Sequence, residues 1–212
     1  MPNSSTGDRR IEARKTPRQR RSSHTVAAIL DAAIIVLKQD GLKGFNTNAI
    51  AERAGVSVGS LYQYFPTKEA ILVSLIRKMR AGMLEAMKAA MQHASTGEIR
   101  HDACVFINAS LSHHLDHAET VDILERIEAE LPLDGETAVL KAEMHQLVVE
   151  ILKRAGIESA PIVAADLIAI CSALSRTLPA SGISTPEEMS NRMLRAALGY
   201  IEFPEISMSQ PE

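Results

Sequence analysis

Apolar residues recur along most of this chain at helical spacing, and no stretch shows the sustained alternation of a strand. Val26, Leu30, Ala33, Ile34 and Leu37 mark one face of a first helix over residues 23–39, capped by Ser22 or Ser23 and closed by Gly41. Two short stripes follow, Ile50 with Ala51 and Ala54, then Val56 with Leu61 and Phe65, and Phe45 ahead of them is placed to seal a small core. Pro66 stops the second short helix, and Thr67 caps a long one over 68–92 that carries Leu72, Leu75, Ile76, Met79, Met83, Met87 and Met91 on one period. At 1.5 Å per residue that helix spans roughly 35 Å. Further helices are predicted over 98–117, 120–131, 136–155, 161–178 and 186–201, broken by Pro132, Gly135, Gly156 and the segment PASGIST. The last opens on a capping box of Thr185 and Glu188, with Pro186 at the first helical position. The fold class is all-α.

The stretch TNAIAERAGVSVGSLYQYF, residues 47–65, is organised around a glycine. A helix ending at Ala54 needs a left-handed residue just beyond it, and Gly55 takes φ > 0 without the Cβ penalty. Ser57 then offers its hydroxyl to an orphan N–H of the next helix. Ala51 suits the joint because two helices crossing steeply within a few residues leave room for little more than a methyl. This is helix-turn-helix logic, in which the second helix enters the major groove and the first braces it across the backbone. The outward positions of the second helix hold Val58, Gly59, Ser60, Tyr62, Gln63 and Tyr64, without the Lys and Glu of a merely solvated face.

GVSVGSLYQYFPTKEAI, preceded by TNAIAERA, resembles the DNA-binding region of TetR-family transcriptional regulators over residues 23–75. Thr47, Ala51, Ala54, Gly55, Val56, Ser57, Leu61, Tyr62, Phe65 and Lys68 carry the resemblance. It implies an all-helical homodimer with an N-terminal helix-turn-helix three-helix domain over 23–67 and a larger helical-bundle effector-binding and dimerisation domain over 68–205. A basic arm over 1–22 and a flexible tail over 206–212 flank them. By the same resemblance Thr47 and Lys68 contact phosphates, with Tyr64 and Ser57 adding to them. Asn48, Val58, Ser60, Tyr62 and Gln63 are the candidates for base edges, since Asn or Gln pairs bidentately with adenine and Val58 can meet a thymine methyl. For Tyr62 the alternative is partial burial against the first helix of the pair. Gly59 permits close approach, and Ser60 stands where many relatives have Thr.

Charge sharpens the division. Residues 1–80 hold 14 Lys and Arg against 6 Asp and Glu, a balance of +8, whereas residues 81–212 hold 9 against 20, or −11. A polyanion would be attracted by the first part and repelled by the second. Residues 1–21 pack Arg9, Arg10, Arg14, Lys15, Arg18, Arg20 and Arg21 into a polar stretch that reads as an arm reaching phosphates or the minor groove, a solubilising tail being the other reading. With 46% hydrophobic but only 3% aromatic residues, the core must be built from aliphatic and Met side chains. Cys104 and Cys171 have no metal-type spacing, the N-terminal stretch lacks a signal peptide's apolar core, and no apolar run reads as a membrane span, so a cytoplasmic setting is expected.

Beyond residue 79 the sequence offers an apolar, adaptable interior suited to a small hydrophobic or amphipathic effector, with Met83, Met87, Phe106, Asn108, Ser110, His114, Glu125, Glu128 and His145 as candidate contacts. His113 and His117 lie four apart and could share a metal, but no third ligand follows at a convincing spacing, so no metal and no cofactor is expected. The last two helices are apolar on more than one side, which nominates Val163, Leu167, Ile170, Leu174, Met189, Met193, Ala197, Leu198 and Ile201 for a four-helix dimer interface, or else for burial within one subunit. The expected function is a ligand-responsive regulator, a repressor that binds a near-palindromic operator as a homodimer, with no membrane partner. A regulator of the same build that activates, a helical hydrolase or metal enzyme using the His113–His117 segment, and a ligand-free architectural DNA binder are the alternatives. The hydrolase lacks a nucleophile elbow, an HExxH pair and a phosphate-binding glycine loop, so no enzyme is expected.

Overall fold

The computed structural model describes residues 20–94, 97–115, 118–130, 135–177 and 185–202, and every regular element among them is an α-helix. In order they are α1 (Arg20–Gly44), α2 (Thr47–Arg53), α3 (Val58–Tyr64), α4 (Lys68–Met91), α5 (Ile99–Leu115), α6 (Ala118–Glu130), α7 (Gly135–Arg154), α8 (Ala160–Thr177) and α9 (Pro186–Glu202). From α4 onward the predicted ends hold to within about two residues. At the N-terminus α1 starts inside the stretch assigned to the basic arm, and Gly41, at φ 61° and ψ −167°, interrupts it where the sequence places its end. The rest of the arm, most of the PASGIST segment, the tail and the His113, His114 and His117 side chains lie outside the described residues.

Contacts divide the chain into two units, one of residues up to Met79 together with Ala118–Thr137, the other of Arg80–His117 with residues from Ala138 on. The division falls inside α4, eleven residues beyond the start of that helix, and gives α6 to the N-terminal unit. Physically this follows from the apolar face of α6. Val121, Leu124 and Ile127 share one core with Ile29, Ala33 and Leu37 of α1, Ile50 and Ala51 of α2, Leu61 of α3 and Ile71, Leu75 and Ile76 of α4. Phe45 and Phe65, 2% and 1% exposed, close that core at the two ends of the helix pair. Each such side chain contributes about 1.5–3 kcal/mol by leaving water.

The second unit is built on two apolar clusters. Leu84, Met87, Ala90, Phe106, Met144 and Ile151 form one, with Met83 and Met91 at its margin. Ile107, Leu111, Leu152, Ala160, Ala164, Met189 and Met193 belong to the other. Within it α9 is tied to α5 by the Ser190 hydroxyl, which donates to Asn108 Oδ1 at 2.7 Å.

By length and composition α8 could cross a bilayer, which corrects the expectation that no apolar run approaches that size. Ala160, Ala164, Leu167 and Ser175 are buried. On the opposite side Ile162, Ala165, Ala169 and Ala173 form an exposed apolar face, with Ile162 68% exposed.

Candidate nucleic-acid interface

Asn46 begins the helix pair. Its Oδ1 accepts from the Ala49 N–H at 2.9 Å and its Nδ2 donates to the Gly44 carbonyl at 2.9 Å, so it caps α2 and fixes the chain leading into it. The sequence reading passed over this residue, although an Asn directly ahead of the apolar stripe is a start signal. At the other end the Gly55 N–H donates to Glu52 O at 3.1 Å and the Val56 N–H to Ala51 O at 3.0 Å. That bond pair is a Schellman stop, and it requires the φ of 66° that Gly55 supplies. Two residues after the glycine, Ser57 Oγ accepts from the Ser60 N–H at 3.1 Å and caps α3. Ala51 is 1% exposed at the crossing, so the tight joint the sequence implied is present.

With Leu61 and Phe65 turned into the core, α3 has a defined outward face. Gly59, Tyr62 and Gln63 are exposed, and Ser60 is half-buried. Val58 and Tyr64 are also half-buried and lean on the core, which narrows the six outward positions of the sequence reading to a smaller set. A Cβ built on Gly59 would meet nothing within 4 Å, so no packing inside the protein asks for a glycine there. Asn48, Ser57 and Lys68 are exposed as well, and Thr47 is half-buried. Lys68 opens α4, whose first turn is capped by Thr67 Oγ1 accepting from the Ala70 N–H at 3.2 Å. The Tyr62 hydroxyl lies 3.0 Å from Thr47 Oγ1, joining α3 to the start of α2. Tyr62 is 42% exposed, so it is at once a surface side chain and a tie between the two helices.

The other candidates fall in both units. Met83, Met87 and Phe106 share one cluster of the second unit. Asn108 lies on the α5 side of a pocket of about 290 Å³ between α5 and α9, lined also by Cys104, Leu111, Ser112, Pro186, Glu187, Ser190 and Asn191. Ser110 and His145 are half-buried, and His145 Nε2 meets the Pro161 carbonyl at 3.0 Å, which fixes the proton on that nitrogen. Glu125 and Glu128 ride on α6, which belongs to the N-terminal unit. Among the described residues no group of His, Cys, Asp and Glu could hold a metal.

Of the nine residues nominated for a dimer interface, Leu167, Met189, Met193, Ala197 and Leu198 are buried within their own unit. They keep at most 8% of their surface for a partner. Val163, Leu174 and Ile201 are partly buried against the same cluster, and Ile170 is half-buried.

Residues 29–75 match the family described as bacterial regulatory proteins, tetR family. The fatty acid metabolism regulator protein of Bacillus subtilis is 34% identical over 70 residues, 33% of this chain and 36% of that protein. The HTH-type transcriptional regulator RutR of Escherichia coli is 40% identical over 72 residues, 34% of either chain. The matches thus span only about a third of those relatives' length. Among solved structures, the regulator FadR from Bacillus subtilis in complex with stearoyl-CoA aligns with a TM-score of 0.66 at 19% identity, over 81% of this chain and 96% of that one.

Proposed function

We propose that this chain, a member of the TetR family of bacterial regulatory proteins, is a cytoplasmic homodimeric repressor that reads a near-palindromic operator with α3 and releases it on binding a small effector. The observation that carries the reading is the outward face of Gly59, Tyr62 and Gln63, uncharged and exposed on a helix whose inward residues are locked. A solvated helix would carry Lys and Glu there, whereas a helix seated in a groove needs short or hydrogen-bonding side chains. Thr47 and Lys68 serve the phosphates, and Asn48, Ser60 and Gln63 the base edges.

The exposed Ile162, Ala165, Ala169 and Ala173 face of α8 supports a dimer, since a second copy would remove it from water. Two-fold related α3 helices would then meet inverted half-sites separated by a whole number of helical turns. An apolar or amphipathic effector is favoured by the aliphatic and Met lining around Met87, Phe106 and Met144, and by a relative named for fatty acid metabolism and a fold neighbour solved with stearoyl-CoA. The effector can move the DNA-bound equilibrium only by its differential affinity for the two conformations.

Selection of bound duplexes from a random pool, followed by mobility shifts at several salt concentrations, tests the reading. A convergent inverted repeat is expected. Indifference to every duplex at low ionic strength would end it.

A further inference from the structure

We propose that the pocket between α5 and α9 is a binding site for a small organic cation rich in N–H donors, an amidinium or guanidinium compound, with Glu187 as its counter-charge. The site goes beyond the repressor reading and does not depend on it.

Two helix faces make the pocket. Cys104, Asn108, Leu111 and Ser112 recur at three- and four-residue steps along one side of α5, and Pro186, Glu187, Ser190 and Asn191 close it from the first turns of α9. Its floor is fixed. Buried Ser190 donates to Asn108 Oδ1 at 2.7 Å, which leaves the Asn108 amide nitrogen to donate to Cys104 Sγ at 3.4 Å. Leu111 belongs to the cluster of Met189 and Met193, whereas Phe106, off this face of α5, belongs to the other cluster. The pocket is therefore separate from the apolar interior assigned above to the effector. Its volume of about 290 Å³ lies just under the usual range for small-molecule sites, about 300–1,000 Å³, and suits a compact occupant.

The chemistry of that occupant follows from the groups left open. The Ser112 hydroxyl gives its hydrogen to the Asn108 carbonyl at 2.9 Å, so toward the pocket it can only accept. Glu187 is an exposed carboxylate with no ion pair among the described residues, and Asn191, one turn along the same face, keeps its side-chain amide open among them. No Lys, Arg or His lines the pocket, so an anion finds no partner side chain there. Nor does the helix end supply one. Pro186 has no N–H, the Glu188 and Met189 N–H groups are taken by Thr185 at 3.3 and 3.1 Å, and Glu187 and Glu188 set two negative charges in the first turn. The balance of −11 over residues 81–212 adds a field of the same sign. A planar amidinium can give two parallel N–H bonds to the Glu187 carboxylate while its apolar body rests on Leu111 and Pro186.

Benzamidine is the probe, tested on the full chain beside uncharged benzamide and anionic benzoate of nearly the same shape. Because Cys104 lines the pocket, bound benzamidine should slow its alkylation by iodoacetamide in a saturable way and leave the more deeply buried Cys171 unchanged, as peptide mapping would read. A dissociation constant on the order of 1 mM or lower is expected for a ligand of this size, and calorimetry should return the same value. Glu187→Gln removes the charge from an exposed side chain and should weaken benzamidine about tenfold. Ser112→Leu fills the pocket and should abolish the calorimetric signal, whereas Glu158→Gln, at an exposed position outside the pocket, should change nothing. Thermal melts establish that each variant is folded. Benzamide or benzoate bound as tightly as benzamidine, a Glu187→Gln variant of parental affinity, or an equal loss in Glu158→Gln would each overturn the proposal, as would the absence of saturable binding about tenfold above the expected constant. Duplex binding is measured separately and stands or falls on its own.

Discussion

Gly59→Ala should make the protein more stable and worse at binding DNA. Gly59 is the second residue of the seven-residue α3, its φ is not positive, and an added Cβ would have nothing within 4 Å. Helical Gly→Ala replacements without a clash gain about 0.5–1 kcal/mol, mostly from lost freedom of the unfolded chain. For a chain of this size that is a rise of roughly 1–4 °C in the melting midpoint. Gly55 supplies the internal control. It too has open space around a built Cβ, but at φ 66° an alanine is strained whatever the room, by about 1–2 kcal/mol. The two substitutions therefore have opposite signs in thermal melts followed by far-ultraviolet circular dichroism. On DNA the methyl at position 59 stands where α3 approaches the groove, and holding the helix off by even a fraction of an ångström lengthens every base contact at once. A loss of at least about tenfold, 1.4 kcal/mol, is expected by fluorescence anisotropy. A Gly59→Ala protein that melts higher and binds as tightly as the parent would show that the glycine has nothing to do with groove approach.

Lys68→Ala should weaken binding to every duplex and lower the salt slope by about one, whereas Gln63→Ala should shift the preferred bases and leave the slope alone; titrations on site variants at several salt concentrations separate the two. Ile162→Lys puts a charge on the largest exposed side chain of that α8 face, and light scattering should find a monomer with an unchanged circular dichroism spectrum; a dimer of normal affinity would move the interface elsewhere. Burial pushes the Cys171 thiol up from 9.0 to about 11, so at pH 9–10 native Cys171 should alkylate far more slowly than in the unfolded chain, as peptide mapping would register. The unfolded thiol ionises first in that window, so Cys171 costs the fold stability as pH rises from 9 and the loss levels off above 11.

Legibility in this chain follows how local each cause is. Gly55, Ser57, Thr67 and the Thr185–Glu188 box act within five residues of themselves, so their pattern announces the turn and the helix starts. The box differs in one detail: the Thr185 hydroxyl donates to Glu188 Oε2 at 2.9 Å while also accepting from the Glu188 N–H at 3.3 Å. Asn46 is equally local, but Thr47 directly after it offers the same kind of cap and masks its signal. Burial is another matter. Met189 and Met193 look no different in sequence from residues that face a partner, and only the packing of α9 against α5 and α8 decides that they are fully spent inside. Likewise no periodicity in α6 says whether Val121, Leu124 and Ile127 seal the N-terminal core or the other one. Glu128 and Phe106, candidates for one pocket by sequence, fall in different units.

A division of labour follows from the small surface of α3. Val58–Tyr64 contains no charged residue, so in the proposed reading α3 adds nothing to the counterion term, which falls to basic residues outside it such as Lys68. Affinity that depends on salt and selectivity that does not are thus carried by different residues, separable by substitution. The Thr47–Tyr62 pair belongs to neither class, being a neutral tie between α2 and α3. It holds α3 to the start of α2 and adds no charge to either class.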